Sequence, residues 1–170
     1  MNKARFHTRL AASAILFLLA PLARAQYSEY DVKAAFLYNF AQFVKWPSAP
    51  SGPVTIGVLG QNPFGGALES AGRGQINVRY SQRLDDLKNC QILFICKSER
   101  GRIGEILGGL EGASVLTVSD ADQFAHKGGM IGFTMDNGKV HFEINPGAGK
   151  RAGLEISSKL MRLGKIVGSG

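Results

Sequence analysis

Three short apolar runs, separated by segments of helical pattern, constrain the fold of this chain more than any other feature. The runs cover 54–60, 92–95 and 115–118. Apolar runs without a polar face are typical of strands buried on both sides of a sheet. Helical segments are predicted between them, at 67–71 and 100–110, so the strands have to be joined by crossovers. The chain is therefore predicted to be an α/β protein with a mostly parallel sheet and helices on both faces.

The pattern changes near the C terminus, where two alternating runs predict a β-hairpin. The runs at 130–135 and 139–144 flank an Asn-Gly pair at 137–138, which is a strong signal for a tight turn. Asn145 and the proline after it predict the N-cap and first turn of a last helix, which reaches about Leu163. No repeat or long linker follows residue 25, so we expect residues 26–170 to form one domain.

A long apolar helix is predicted to open that domain. Ser28 is its candidate N-cap, and the apolar stretch 32–44 leaves hardly any polar face. Such a helix needs cover on more than one side, either from its own domain or from another chain. The candidates for contact with a partner or with a second copy of the chain are Phe36, Tyr38, Phe40 and Phe43.

Residues 1–25 have the three parts of a secretory signal peptide. Basic residues precede an apolar run at 10–20, and Ala23-Arg24-Ala25 has the A-x-A form of a cleavage site. The run of 11 residues is short for a bilayer core, which takes about 20 helical residues to span. We expect cleavage before Gln26 and a periplasmic location.

Removal of that segment changes the charge of the protein. It takes away four basic residues and no acidic one, so the net charge falls from +7 to +3. The composition of the remaining domain gives no support for nucleic-acid binding.

Cys90 and Cys96 are the two cysteines, and they bracket the run at 92–95. Along a strand, six residues separate the two Cα atoms by about 20 Å, whereas a disulfide needs them within about 7 Å. No disulfide within the chain is therefore expected, which leaves two buried thiols or a bridge between chains.

The carboxyl ends of the predicted strands are the expected place for a ligand. Open parallel sheets bind ligands at this edge, where the strand order reverses. The candidates in the loops that follow two of the strands are Gly60, Gln61, Asn62, Phe64, Lys97 and Ser98.

The sequence contains no strong catalytic or cofactor-binding motif. The GAGK sequence at 147–150 lacks the full spacing of a phosphate loop, and Arg151 stands where Ser or Thr would bind magnesium. Asp120, Asp122 and His126 have metal-ligand chemistry. Asp120 with Gln123 also has the form of a helix-capping pair, which is the favoured interpretation. We therefore expect the protein to have no enzymatic activity and to bind no metal ion or cofactor.

Seven stretches, taken in order, resemble the YfiR family of periplasmic proteins. They are VKAAFLYNF at 32–40 with WP at 46–47, IGVLG at 56–60 with PF at 63–64, CQILFI at 90–95, VLTVSD at 115–120, GGMI at 128–131, VHFEIN at 140–145 and SSKL at 157–160.

The resemblance implies a regulator that acts by binding and has no catalytic residue. YfiR-like proteins restrain an inner-membrane diguanylate cyclase by binding its periplasmic sensory domain, which lowers cyclic di-GMP and biofilm formation. The resemblance also implies an outer-membrane lipoprotein that draws the regulator away. A periplasmic small-solute-binding protein is the alternative function, which the sheet-edge loops leave open.

Overall fold

We describe the fold from a computed structural model, which describes residues 27–168. The predicted signal peptide lies outside these residues. Across 27–168, none of the helices combines the length and apolar character needed to cross a bilayer.

Residues 27–168 form nine strands, five α-helices and two 3-10 helices, the latter at Leu84–Asp86 and Lys97–Arg102. The strands are β1 (Val44–Lys45), β2 (Val54–Leu59), β3 (Ile76–Ser81), β4 (Ile92–Ile95), β5 (Leu116–Ser119), β6 (Ile131–Asp136), β7 (Lys139–Ile144), β8 (Glu155–Ile156) and β9 (Lys165–Ile166). The helices are α1 (Glu29–Phe43), α2 (Ala67–Gly72), α3 (Ile103–Gly108), α4 (Pro146–Arg151) and α5 (Ser158–Met161).

Seven of the strands form one sheet in the order β3-β2-β4-β5-β6-β7-β9. The first five strands in this order, from β3 through β2, β4 and β5 to β6, are parallel to one another. Strands β6 and β7 form an antiparallel hairpin. The hairpin turn is the predicted one, since Asn137 and Gly138 both have positive φ. The predicted α/β class, with its mostly parallel sheet and C-terminal hairpin, is confirmed.

The apolar core lies on both faces of the sheet. On one face α1 packs Leu37 and Phe40 against the sheet, together with residues of α2, α4 and α5. On the other face α3 packs Ile103 and Ile106 against Leu93. The buried strands follow from this arrangement, because β4 and β5 have apolar layers on both sides and are buried at every position.

Helix α1 begins at the predicted cap. Ser28 accepts a hydrogen bond from the Asp31 backbone N–H, and the Asp31 carboxylate accepts one from the Ser28 backbone N–H. These reciprocal bonds form a capping box that satisfies two free backbone donors. The helix ends at Phe43, where the chain enters β1.

The predicted single C-terminal helix is wrong in its extent. Asn145 does cap α4 by accepting a hydrogen bond from the Ala148 N–H, but the helix stops at Arg151. Gly153 follows with a φ of +73°, a left-handed conformation that glycine adopts at little cost and that ends the helix. The chain then forms β8, which pairs with β1, and continues through α5 to β9.

Candidate functional site

Three strands of the sheet end side by side. Leu59 of β2 is paired with Ile95 of β4, and Ile95 is paired with Ser119 of β5. The loops that follow the three strands therefore leave the sheet at one edge. Because β2 has β3 on one side and β4 on the other, the strand order reverses between β2 and β4, which is where open α/β sheets bind ligands.

A cleft of about 320 Å³ lies at this reversal, and we call it the switch-point cleft. Four of the six predicted ligand residues line it, which are Gln61, Asn62, Lys97 and Ser98. The Gln61 backbone N–H donates to Ser98 Oγ at 3.1 Å, so the loops after β2 and β4 are joined. Tyr30 of α1 lies beside them and closes one side of the cleft.

The other two predicted ligand residues form its support. Phe64 is buried, and its ring packs edge-on against Tyr30 and Phe94 at centroid distances of 5.3 and 4.8 Å. Gly60 has a φ of +102°, and a Cβ at this position would lie 2.5 Å from Ser98 Oγ. Gly60 and Phe64 therefore do not line the cleft, but they contact residues that do, Ser98 and Tyr30.

A buried ion pair connects α1 to the end of β5. Lys33 Nζ lies 2.9 Å from Asp120 Oδ2, and the two side chains are only 3% and 5% exposed. Tyr30 Oη donates to the same carboxylate oxygen at 2.7 Å. Lys33 also contacts the Glu29 carboxylate and lies 4.4 Å from the centre of the Tyr30 ring. Burial of two opposite charges is tolerated here because they are paired and hydrogen-bonded.

Asp120 does not form the predicted capping pair with Gln123. Residues 121–127 form turns rather than a helix, and Gln123 has a positive φ of 59°. The cap-like bond at this position comes from Ser119, whose hydroxyl accepts from the Ala121 N–H. Asp120 is therefore free to point toward α1.

A second cavity, of about 580 Å³, opens beside Asp120, and we call it the Asp120 cavity. Tyr30 and Lys97 line both this cavity and the switch-point cleft, so the two spaces adjoin. The remaining lining residues are Glu29, Lys33, Asp120, Asp122, Gln123, Phe133, Thr134 and Met135.

Sequence reasoning missed Lys33 and Tyr30 as members of this site. The sequence feature that could have identified them is a lysine within a helix that has hardly any polar face, preceded by a tyrosine one turn earlier. A lysine in such a place requires an anionic partner. That partner lies 87 residues away in sequence, so spacing alone did not identify it.

Burial raises the pKa of two groups that line the switch-point cleft. The Tyr30 pKa rises well above its ordinary value, chiefly through burial and then through the hydrogen bond to Asp120, so the hydroxyl remains a donor at neutral pH. Burial also raises the pKa of the Cys96 thiol to about 12.

Cys90 and Cys96 are both buried thiols on either side of β4. Burial raises the pKa of both, so we expect neither native thiol to react with a disulfide reagent at pH 8, where denatured protein reacts fully. The native protein should lose stability as pH rises from about 9 toward 12, because the unfolded thiol ionises first. A Lys97→Cys variant supplies an exposed control thiol that should react at once.

Peptide mapping of the same protein without reductant tests the predicted absence of an internal disulfide. A Cys90–Cys96 cross-linked peptide from one chain, or rapid reaction of either native thiol, would contradict the burial of these groups.

The candidate metal ligands lie in separate contacts. Asp122 pairs with Lys97 at 3.6 Å, and His126 Nε2 lies 3.2 Å from the Glu143 carboxylate. Within 27–168 there is no group of three or more His, Cys, Asp or Glu side chains arranged to hold a metal ion.

The predicted partner-binding residues of α1 divide into core and surface. Phe40 is 0% exposed and packs against Phe133 and Phe142, so it is not available to a partner. Phe36 and Tyr38 are half-buried and line two clefts on opposite sides of α1. Phe43 is half-buried against the same core and lines neither of these clefts.

Solved structures of two other proteins have a similar fold. A conserved domain protein from Vibrio cholerae O1 biovar El Tor is 12% identical, with a TM-score of 0.59, and the match covers 83% of this chain and 60% of that protein. An ABC domain from Streptococcus pneumoniae, solved in complex with L-Trp, is 9% identical with a TM-score of 0.58, over 81% of this chain and 60% of that one. The chain thus spans about 60% of the length of each.

The family is identified from the sequence. The profile of the YfiR/HmsC-like family, DUF4154, matches residues 30–165, and the chain belongs to this family. It is a family of periplasmic regulatory proteins. A comparison with curated proteins finds no match.

Proposed function

We propose that this protein binds the periplasmic sensory part of an inner-membrane diguanylate cyclase and restrains it, which lowers cyclic di-GMP and biofilm formation. The family match across 30–165 is the observation that carries this proposal. An outer-membrane lipoprotein that competes for the regulator is part of the same proposal, as is association of two copies of the chain.

The outer side of α1 is the proposed docking face. One cleft, of about 470 Å³, lies between α1 and α2 and is lined by Tyr38 and Ala35. The other, of about 640 Å³, lies between α1 and the β6–β7 hairpin and is lined by Phe36 and Met135. Two clefts with aromatic walls on one helix suit the insertion of apolar side chains from a partner.

A Tyr38→Glu variant tests this face. We expect it to remain folded by circular dichroism and to bind the cyclase periplasmic domain at least tenfold more weakly, because a carboxylate replaces the ring at the cleft wall. Binding is measured with the purified periplasmic domain of a cyclase encoded beside this gene. Self-association is measured on the same samples.

Two control variants accompany the measurement. Tyr38→Phe removes only the hydroxyl that donates to Gln75 and should keep binding. Glu111→Lys changes an exposed charge after α3, on the other face of the sheet, and should also keep binding. Unfolding of Tyr38→Glu would place the ring in the core, and a folded variant with wild-type binding would exclude this face.

The proposal includes export through a cleaved signal peptide. Mass spectrometry of the protein from intact bacteria should find Gln26 at the mature N terminus, or a residue within one or two positions of it. A full-length product in the cytoplasm would contradict this.

Binding of a small periplasmic solute is the second candidate function. Four predicted ligand residues meet in the switch-point cleft, at the sheet edge where such folds bind ligands. The Streptococcus pneumoniae protein of similar fold was solved in complex with L-Trp, and this likeness supports the second candidate function.

A further inference from the structure

Strand β3 forms an open edge of the seven-stranded sheet. In the part of the chain that the structure describes, β3 pairs with β2 alone, over all six of its residues. The Ser81 carbonyl accepts from the Gly60 N–H, which continues β2, so the backbone groups of Ser81 point toward β2. Because these groups alternate in direction along a strand, the N–H and C=O groups of Ile76, Val78 and Tyr80 point outward from the sheet.

This edge lacks the protection that the opposite edge has. The opposite edge is β9, which is only two residues long and begins with a lysine. Strand β3 is three times as long and contains no proline. Ile76 and Val78 pack into the core beneath α2, and Tyr80 on the same side of the strand is 42% exposed. A long edge strand with an apolar side is a template for an added strand, and native proteins cover such edges.

A second copy of β3 fits this edge when the two strands run antiparallel about a two-fold axis at Val78. In this register Val78 lies opposite its own copy, and Ile76 lies opposite Tyr80 of the second copy. Pairs of β-branched and aromatic side chains stabilise neighbouring strands. On the other face of the sheet, Arg79 lies opposite Asn77 of the second copy, so no like charges face each other.

Helix α2 adds charge complementarity to the same arrangement. The Glu69 carboxylate accepts a hydrogen bond from Tyr80 Oη at 2.8 Å, so it lies near the C-terminal end of β3. Arg73 lies one turn after Glu69 on the same side of α2, next to the start of β3. Both side chains are exposed. The two-fold axis places the end of one β3 beside the start of the other, which brings Glu69 toward Arg73 of the second copy, twice per dimer.

We propose that two copies of the protein join through β3, so that one sheet continues across the dimer. The inference rests on the association of two copies proposed above, and it assigns that association to the edge of the sheet rather than to α1.

Sedimentation of the mature protein should show a dimer that dissociates on dilution. Val78→Pro removes an outward N–H group and leaves the pairing with β2 intact, because proline is tolerated on the open side of an edge strand. We expect this variant to remain folded by circular dichroism and to raise the dissociation constant of the dimer about tenfold or more. Val78→Thr, which keeps both the N–H group and the branched shape, should dimerise like the wild type.

Cross-linking tests the register without the proline variant. Asn77 and Arg79 of the second copy form a pair without backbone hydrogen bonds, in which the Cα atoms lie about 4.5 Å apart, within reach of a disulfide. An equal mixture of Asn77→Cys and Arg79→Cys proteins should therefore cross-link on mild oxidation. Either variant alone should cross-link far less, because identical positions are offset by two residues. The native cysteines are buried and do not interfere.

A protein that sediments as a monomer at every concentration would overturn both the inference and the association of two copies. Binding of the cyclase, measured separately, would be unaffected by that result. A dimer that Val78→Pro leaves intact, or a mixture of the cysteine variants that does not cross-link, would overturn the assignment to β3. Loss of the dimer in Tyr38→Glu, with a wild-type dimer in Val78→Pro, would place the second copy on α1 instead.

Discussion

Replacement of Lys33 by methionine is expected to lower the free energy of unfolding by about 3–5 kcal/mol. The substitution keeps the length and apolar stem of the side chain but removes the ammonium group that lies 2.9 Å from Asp120 Oδ2. The Asp120 carboxylate, only 5% exposed, is then left with the Tyr30 hydroxyl as its one donor. An uncompensated buried charge is the physical origin of the loss. Chemical denaturation followed by circular dichroism measures it.

The double variant Lys33→Met, Asp120→Leu is the matched control. Replacing both charges with apolar groups removes the buried carboxylate along with its partner, so we expect it to recover roughly half or more of the lost stability. A single Lys33→Met variant that loses less than about 1 kcal/mol would show that water solvates the pair in solution.

Replacement of Phe40 by alanine is expected to cost about 3–5 kcal/mol. The ring is 0% exposed, and its centroid lies 5.2 Å from that of Phe142 and 5.9 Å from that of Phe133. Truncation leaves a cavity between α1 and the hairpin strands, because neither element can collapse far across the sheet. Thermal and denaturant unfolding of the variant measure the loss.

Phe36→Ala is the comparison on the same helix. Its ring is half-buried and lines the cleft toward the hairpin, so its truncation should cost about half as much stability or less. Comparison of the two variants thus distinguishes a core residue, Phe40, from a residue of the proposed docking face, Phe36. Equal losses would mean that Phe36 is as deeply packed as Phe40.

The fold was largely predictable because its signals are local. Strands buried on both faces appear as unbroken apolar runs, as in β4 and β5, and the Asn-Gly turn of the hairpin needs no distant contact. The C-terminal helix was predicted too long because Leu154 and Leu160 continue its apolar pattern. Their burial is achieved instead by a turn at Gly153 and a short strand paired with β1.

The site was predictable in part. Gln61, Asn62, Lys97 and Ser98 were identified because topology places the loops after β2 and β4 together. The contact among Tyr30, Lys33 and Asp120 was not, because it joins the first helix to the end of the fifth strand. Asp120 also satisfied a local pattern, that of a helix cap, which the turn at 121–127 does not use.

Lys33 and Asp120 are far apart in the sequence, and this separation affects the order in which the parts of the protein fold. A ribosome makes α1 first, and the carboxylate that holds its first turns is added 87 residues later. Until then, α1 can pack only against α2 and strands β2 to β4, since β5 and the β6–β7 hairpin are still missing. The contacts of α1 with β5 and the hairpin therefore form late, and part of its apolar surface stays uncovered until those strands are made.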